Sequence, residues 1–141
     1  MKIGIILRFV TLGLILNLET GCATSSDIAS GMLFEKRDKT VFVSEHFSGY
    51  AGRHVGEVAR VLEKHGFLVT KNRERSDYFL DFNIDGGATL TVSIGLLQEG
   101  KKLIEVESTN VWFGTVMFRP IAVANRVEAA IEEFDQALSK I

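Results

Sequence analysis

Cys22 is the one thiol in the 141-residue sequence. An exported chain with a single Cys closes no internal disulfide, so the residue calls for another use. The remaining reactive side chains form no obvious set. His46, His54 and His65 are the only histidines, and no Glu or Cys stands with them in a zinc-ligand pattern, so no metal site is expected. Asp77, Asp81 and Asp85 share one strand parity and can line a sheet face beside Glu105 and Glu107. Paired carboxylates do acid–base work where a buried environment drives their pKa values apart. Spread over an open sheet face they are solvated, and they discourage edge pairing. Ser44-Glu45-His46 has the residue types of a nucleophilic set, but neighbours on a strand point to opposite faces. Val92-Ser93-Ile94-Gly95 lacks the first glycine of a nucleophile elbow. Gly86-Gly87 lacks the lysine and the following helix of a phosphate loop. No catalytic residue and no cofactor is expected, and the chain reads as a non-enzyme.

Binding character is concentrated between Trp112 and Pro120. Trp112, Phe113, Met117, Phe118 and Arg119 are residue types enriched in interface cores. The stretch reads either as a hydrophobic latch closing one end of the core, or as a docking surface that uses Trp112, Phe113, Phe118 and Arg119 against another protein or lipid headgroups.

Hydrophobic periodicity supplies the scaffold for these residues. Thr40-Val41-Phe42-Val43 is β-branched and aromatic, a strand. Ala51, Val55, Val58, Ala59 and Leu62 recur at three and four, one face of a helix. Ser48 is placed to cap its start and Gly66 to end it. Gly52 and Gly56 weaken it and are expected to let it lie close to a sheet. Phe67–Thr70 is the next strand, so strand, helix and strand predict a parallel crossover. Tyr78, Leu80, Phe82 and Ile84 alternate with Phe79, Asp81 and Asn83, then Leu90, Val92, Ile94 and Leu96 with Thr91, Ser93 and Gly95, then Ile104 and Val106 with Glu105 and Glu107, which predicts antiparallel strands with one wet face. Turns are expected at Asp85-Gly86-Gly87 and Gln98-Glu99-Gly100-Lys101. Ala124, Val127, Ile131, Phe134, Leu138 and Ile141 form the stripe of a final helix, with Asn125 and Glu128 as a capping box. The expected fold is α+β: a two-layer sandwich of one mixed, mostly antiparallel sheet of about five strands with two helices on one face.

Residues 1–21 have a different character. Lys2 and Arg8 precede the apolar run Phe9–Leu16, and small residues follow. A basic start, an apolar run of roughly 7–15 residues and a small-residue cleavage site define a secretory signal, and the run is short of the ~20 residues a spanning helix needs. Gly21-Cys22 behind that run resembles the lipobox of bacterial lipoproteins, with Glu19 where that family usually carries Leu or a similar apolar residue. The resemblance implies that the Cys22 thiol is diacylated, that the chain is cut before it, and that residues 23–31 tether a single domain over 32–141. Ala23, rather than Asp, behind the Cys implies the outer membrane, facing the periplasm. Cleavage after Ala23, giving a soluble secreted product, and an uncleaved anchor are the alternatives. Loss of residues 1–21 removes Lys2, Arg8 and Glu19 from 16 basic and 18 acidic side chains, leaving a formal net charge of −3. That lacks the basic footprint of a nucleic-acid binder. The element order resembles small envelope lipoproteins, the N-terminal domain of the Tol translocation protein and the lipoprotein activators of penicillin-binding proteins. The resemblance implies a partner-binding module. The expectation is therefore a non-catalytic envelope lipoprotein that binds another envelope component, with a periplasmic carrier of small molecules or peptides as the alternative.

Overall fold

Period-two apolar runs extend the middle of the chain into three long strands in the computed structural model, which describes residues 22–29, 36–47, 49–86, 89–111 and 119–141. In chain order the elements are β1 (Cys22–Ile28), β2 (Thr40–Phe42), α1 (Gly49–Lys64), β3 (Leu68–Thr70), a 3-10 turn at Arg73–Arg75, β4 (Tyr78–Gly86), β5 (Thr89–Gln98), β6 (Lys101–Val111) and α2 (Arg119–Ser139). They form one six-stranded sheet in the order β1-β6-β5-β4-β2-β3. β2 pairs in parallel with both β3 and β4, and the remaining pairs are antiparallel. The α+β architecture is the expected one, and so is the parallel pairing across α1. Among the described residues no helix is long and apolar enough to cross a membrane.

Alternation decides which sheet face is covered. Tyr78, Leu80 and Phe82 of β4, Leu90, Val92, Ile94 and Leu96 of β5, and Ile104 and Val106 of β6 are all buried. They meet Ala51, Val58 and Leu62 of α1 and Val123, Val127, Ala130, Phe134, Ala137 and Leu138 of α2 in one cluster. Leu103 is buried as well as Ile104, because the β5–β6 register slips between Leu96 and Leu97. An extra residue in one strand turns its neighbours to the opposite face.

Helix ends and turns follow local chemistry. Gly66 takes φ +89, Phe67 N–H donates to Leu62 O and Gly66 N–H to Glu63 O. This is the Schellman arrangement that lets glycine close a helix. Glu99 and Gly100 both have positive φ, which matches the twist of a tight two-residue hairpin. Lys36 Nζ donates to Leu138 O at 2.5 Å, so part of the charge run 35–39 caps the carboxyl end of α2 rather than serving only as a solvated turn.

Three expectations are corrected. Residues 22–28 are not a free tether: they are the edge strand β1, paired with β6 from Cys22↔Asn110 to Ile28↔Ile104. The inward positions of β1 are polar, and polar groups receive them. Thr24 Oγ1 lies 3.0 Å from Oγ of the fully buried Ser108, and Ser26 Oγ donates to Glu133 Oε1 at 2.6 Å. Second, α2 begins at Arg119, not at Asn125. Pro120 suits the first turn, where its missing N–H costs nothing, and Val123 rather than Ala124 opens the buried stripe. Third, Gly56 approaches nothing, whereas a Cβ on Gly52 would meet Phe47 O at 2.5 Å; the close approach is to the loop before α1, not to the sheet.

Candidate functional site

Both described helices pack on one face of the sheet, so among the described residues no helix covers the other face, and its side chains can be placed from the register. One row runs Thr70–Phe42–Phe79–Leu97–Lys102 across β3, β2, β4, β5 and β6. The next is Asp81–Gly95–Glu105–Asp27, followed by Asn83–Ser93–Glu107–Ser25 and then Asp85–Thr91–Thr109–Ala23. The first row is apolar at its centre, the second carries three carboxylates, and the last two are polar.

The apolar row is the floor of a groove of about 510 Å³ lined by Phe42, Ser44, Arg73, Phe79, Asp81 and Leu97 among others. Phe42 and Phe79 meet edge to face, with centroids 6.1 Å apart and planes at 63°. The Arg73 guanidinium stands 5.8 Å from the Phe79 centroid, within the reach of a cation–π contact. The 3-10 turn that carries Arg73 is held locally: Asn72 Oδ1 accepts from Glu74 N–H at 3.1 Å, and Ser76 Oγ donates to Arg73 O at 2.8 Å. The groove therefore has an aromatic floor, a cation at one rim and the Asp81 carboxylate at the other. Its volume falls within the ~300–1,000 Å³ typical of ligand sites.

Charge on this face is paired in part. Lys102 bonds Glu105, and that bond, with Asp81 and Glu107 nearby, raises the Lys102 ammonium above its ordinary value. The other displaced groups lie elsewhere. Asp77 does not join Asp81 and Asp85 on the open face. Its Oδ2 accepts from Thr40 N–H and Thr40 Oγ1, both at 2.9 Å, and its Oδ1 lies 3.7 Å from Lys39 Nζ, so it ties the entry of β4 to β2. The backbone N–H of Thr40 is the main reason its carboxyl is held below the usual range. Asp135 on α2 takes Lys64 Nζ at 2.6 Å and His65 Nε2 at 2.5 Å, and these contacts, Lys64 first, hold it low. Glu45 is lowered by Lys71, 2.7 Å away. Each of these carboxyls is pushed toward permanent ionisation, the direction of an ion-pairing group; a general acid at neutral pH needs the opposite displacement.

The predicted site residues are scattered. Trp112, Phe113 and Phe118 lie outside the described residues, and Arg119 opens α2. Cys22 opens β1. Ser44 Oγ accepts from the His46 backbone N–H at 3.1 Å, while Glu45 turns to Lys71, so that triplet does not converge. His54 pairs with Glu57 at 3.2 Å and His65 with Asp135. Among the described residues no three His, Cys, Asp or Glu side chains are grouped to hold a metal ion. The groove itself was not anticipated. Its sequence trace is apolar residues out of phase: Phe42 and Phe79 stand at outward parity between inward apolar neighbours, and Leu97 follows Leu96.

No family model matches the chain, and no curated protein does. Among solved structures, it is similar to the PelC dodecamer from Paraburkholderia phytofirmans in space group P6, with 12% identity, a TM-score of 0.49 and coverage of 83% of this chain and 96% of that one. A single-residue variant of the same dodecamer in space group C2 gives 12% identity, a TM-score of 0.48 and coverage of 83% and 97%.

Proposed function

We propose that the chain is a non-catalytic binding domain of the bacterial cell envelope, anchored through acylated Cys22 to the outer membrane and engaging another envelope component from the periplasmic side. The observation that carries the binding part is the aromatic groove on the face opposite the two described helices, with Phe42 and Phe79 side by side and Arg73 and Asp81 at its rims. The anchor rests on the basic-then-apolar leader and Gly21-Cys22. Because Cys22 is already paired with Asn110, an acyl group on its sulfur would hold the sheet edge directly at the lipid surface, with no length of free chain between. Two or more acyl chains suffice for stable anchoring, whereas one gives only marginal binding.

The test has two arms. Labelled palmitate should enter the wild-type protein and not Cys22→Ser, and that variant should leave the membrane fraction. A photo-crosslinking side chain in place of Phe79 should yield a discrete adduct in intact cells, and the same group in place of the exposed Glu132 of α2 should not. Unchanged fractionation of Cys22→Ser would remove the anchor, and equal crosslinking at both positions would remove the groove. Crosslinking from positions 112 and 118 tests the second surface, proposed around Trp112, Phe113, Phe118 and Arg119. A small-molecule carrier is the second reading, favoured by the ligand-sized volume of the groove; a low-mass compound copurifying with wild type and lost in Phe79→Ala would select it.

A further inference from the structure

The sheet face opposite the two described helices has a repeat that an extended polypeptide shares. Its rows are two residues apart along each strand, about 6.8 Å. Side chains on one side of an extended peptide recur at i, i+2 and i+4 with the same spacing. A segment lying along β4 and β5 therefore sets residue i over Phe42, Phe79 and Leu97, residue i+2 over the row of Asp81, Glu105 and Asp27, and residue i+4 over the row of Asn83 and Glu107.

The groove supplies the anchor point, and charge selects the residues beyond it. Past the apolar row stand the carboxylates of Asp27, Asp81, Asp85 and Glu107, with Glu105 paired to Lys102 and Arg73 drawn over Phe79. Complementarity of sign across an interface fixes partner and register. An acidic or neutral segment in the same track would leave those carboxylates unmatched or repelled.

We infer that this face is a docking track for an extended basic segment of a partner protein: an apolar or aromatic residue seated in the Phe42–Phe79–Leu97 groove, with Lys or Arg at the second and fourth positions after it. The inference rests on the reading of the groove as the binding surface and adds the chemistry of its occupant.

The probe is a fluorescein-labelled decapeptide, Ser-Gly-Phe-Ser-Lys-Ser-Lys-Ser-Gly-Ser, titrated with the purified full-length chain in detergent and followed by anisotropy. Saturable binding is expected. It should weaken at least fivefold with Asp81→Asn, with Phe79→Ala and on raising salt from about 50 to 500 mM, since exposed charge pairs are screened within a Debye length. Replacing both lysines by glutamate should abolish it, as should replacing the phenylalanine by serine. Asp81→Asn is exposed and isosteric, so it keeps the test sharp should Phe79→Ala misfold. Equal affinity for the glutamate peptide, equal affinity for the peptide without phenylalanine, or full competition by spermine at the peptide's own concentration would overturn the inference. Absence of peptide binding alongside position-specific crosslinking at Phe79 in cells would overturn the occupant and leave the groove standing. Loss of both would remove the groove as well.

Discussion

Phe79 and Phe82 stand three residues apart on β4 and face opposite sides of the sheet, so truncating each one separates surface from core. Phe82 is 3% exposed and meets Phe47 edge to face at 6.0 Å. Its replacement by alanine leaves a cavity in the packed layer under the helices, at a cost of about 3–5 kcal/mol. Phe79 is half-buried. Its contacts are the edge-to-face pair with Phe42, contributing about 0.5–1.5 kcal/mol, and the Arg73 contact, about 0.5–1 kcal/mol. Phe79→Ala should therefore cost about 1–2.5 kcal/mol. Urea denaturation followed by circular dichroism on the Cys22→Ser background reads the difference. With a slope of about 2 kcal/mol per molar urea, the midpoint should fall by roughly 0.5–1.2 M for Phe79→Ala and by roughly 1.5–2.5 M for Phe82→Ala. Equal shifts would show that Phe79 is a core residue, and the assignment of an open aromatic groove would be wrong.

The same assay checks three further points. Asp135 is depressed below the ordinary 3.8 by Lys64 and then His65, so its contribution is present above that value and is lost as pH falls through the depressed one; the stability gap between wild type and Asp135→Asn should be constant above about pH 5 and close on acidification, and a gap independent of pH would refute the link. Thr24→Val strands the buried Ser108 hydroxyl and should cost about 1–3 kcal/mol, whereas Ser108→Ala leaves only the solvent-facing Thr24 hydroxyl and should cost less than about 1 kcal/mol; the reverse order would show that β1 does not sit in the register described. Gly56→Ala, with open space around its Cβ, should stabilise α1 by up to about 1 kcal/mol. Gly52→Ala should destabilise despite the same propensity gain, because the new methyl meets Phe47 O.

Hydrophobic period alone determines the parts of the fold that were legible in the sequence. β4, β5 and β6 alternate except at the slip near Leu97 and Leu103, α1 steps by three and four, and Gly66 and Gly100 stand where only a left-handed backbone closes the turn. The parts that escaped were set by partners far along the chain. β1 has no apolar alternation because its inward residues, Thr24 and Ser26, are satisfied by Ser108 and Glu133, more than eighty and one hundred residues away respectively. Asp77 left the acidic face because the backbone of Thr40 offers it a donor. The start of α2 was misplaced because the Asn125–Glu128 spacing imitates a cap, whereas the helix runs from Arg119 and its buried stripe opens at Val123. The groove was overlooked because Phe79 has outward parity but stands alone among the polar residues of that parity on its strand, and its partner Phe42 belongs to a run remote in sequence.

The register also separates two roles on the sheet. Cys22 pairs with Asn110, which pairs with Leu90, whereas the groove row passes through Leu97 on the same strand. Seven residues along an extended strand span about 24 Å. Cys22 and the groove therefore lie at opposite ends of the strands. β6 ends at Val111, one residue beyond the partner of Cys22. With Cys22 acylated as proposed, its end of the sheet is the membrane side. The Phe42–Phe79 groove is then held a domain's length away, where a lipid surface does not compete with a protein segment for it. Anchor and reader, as proposed, are thus set apart by the length of β5 and β6.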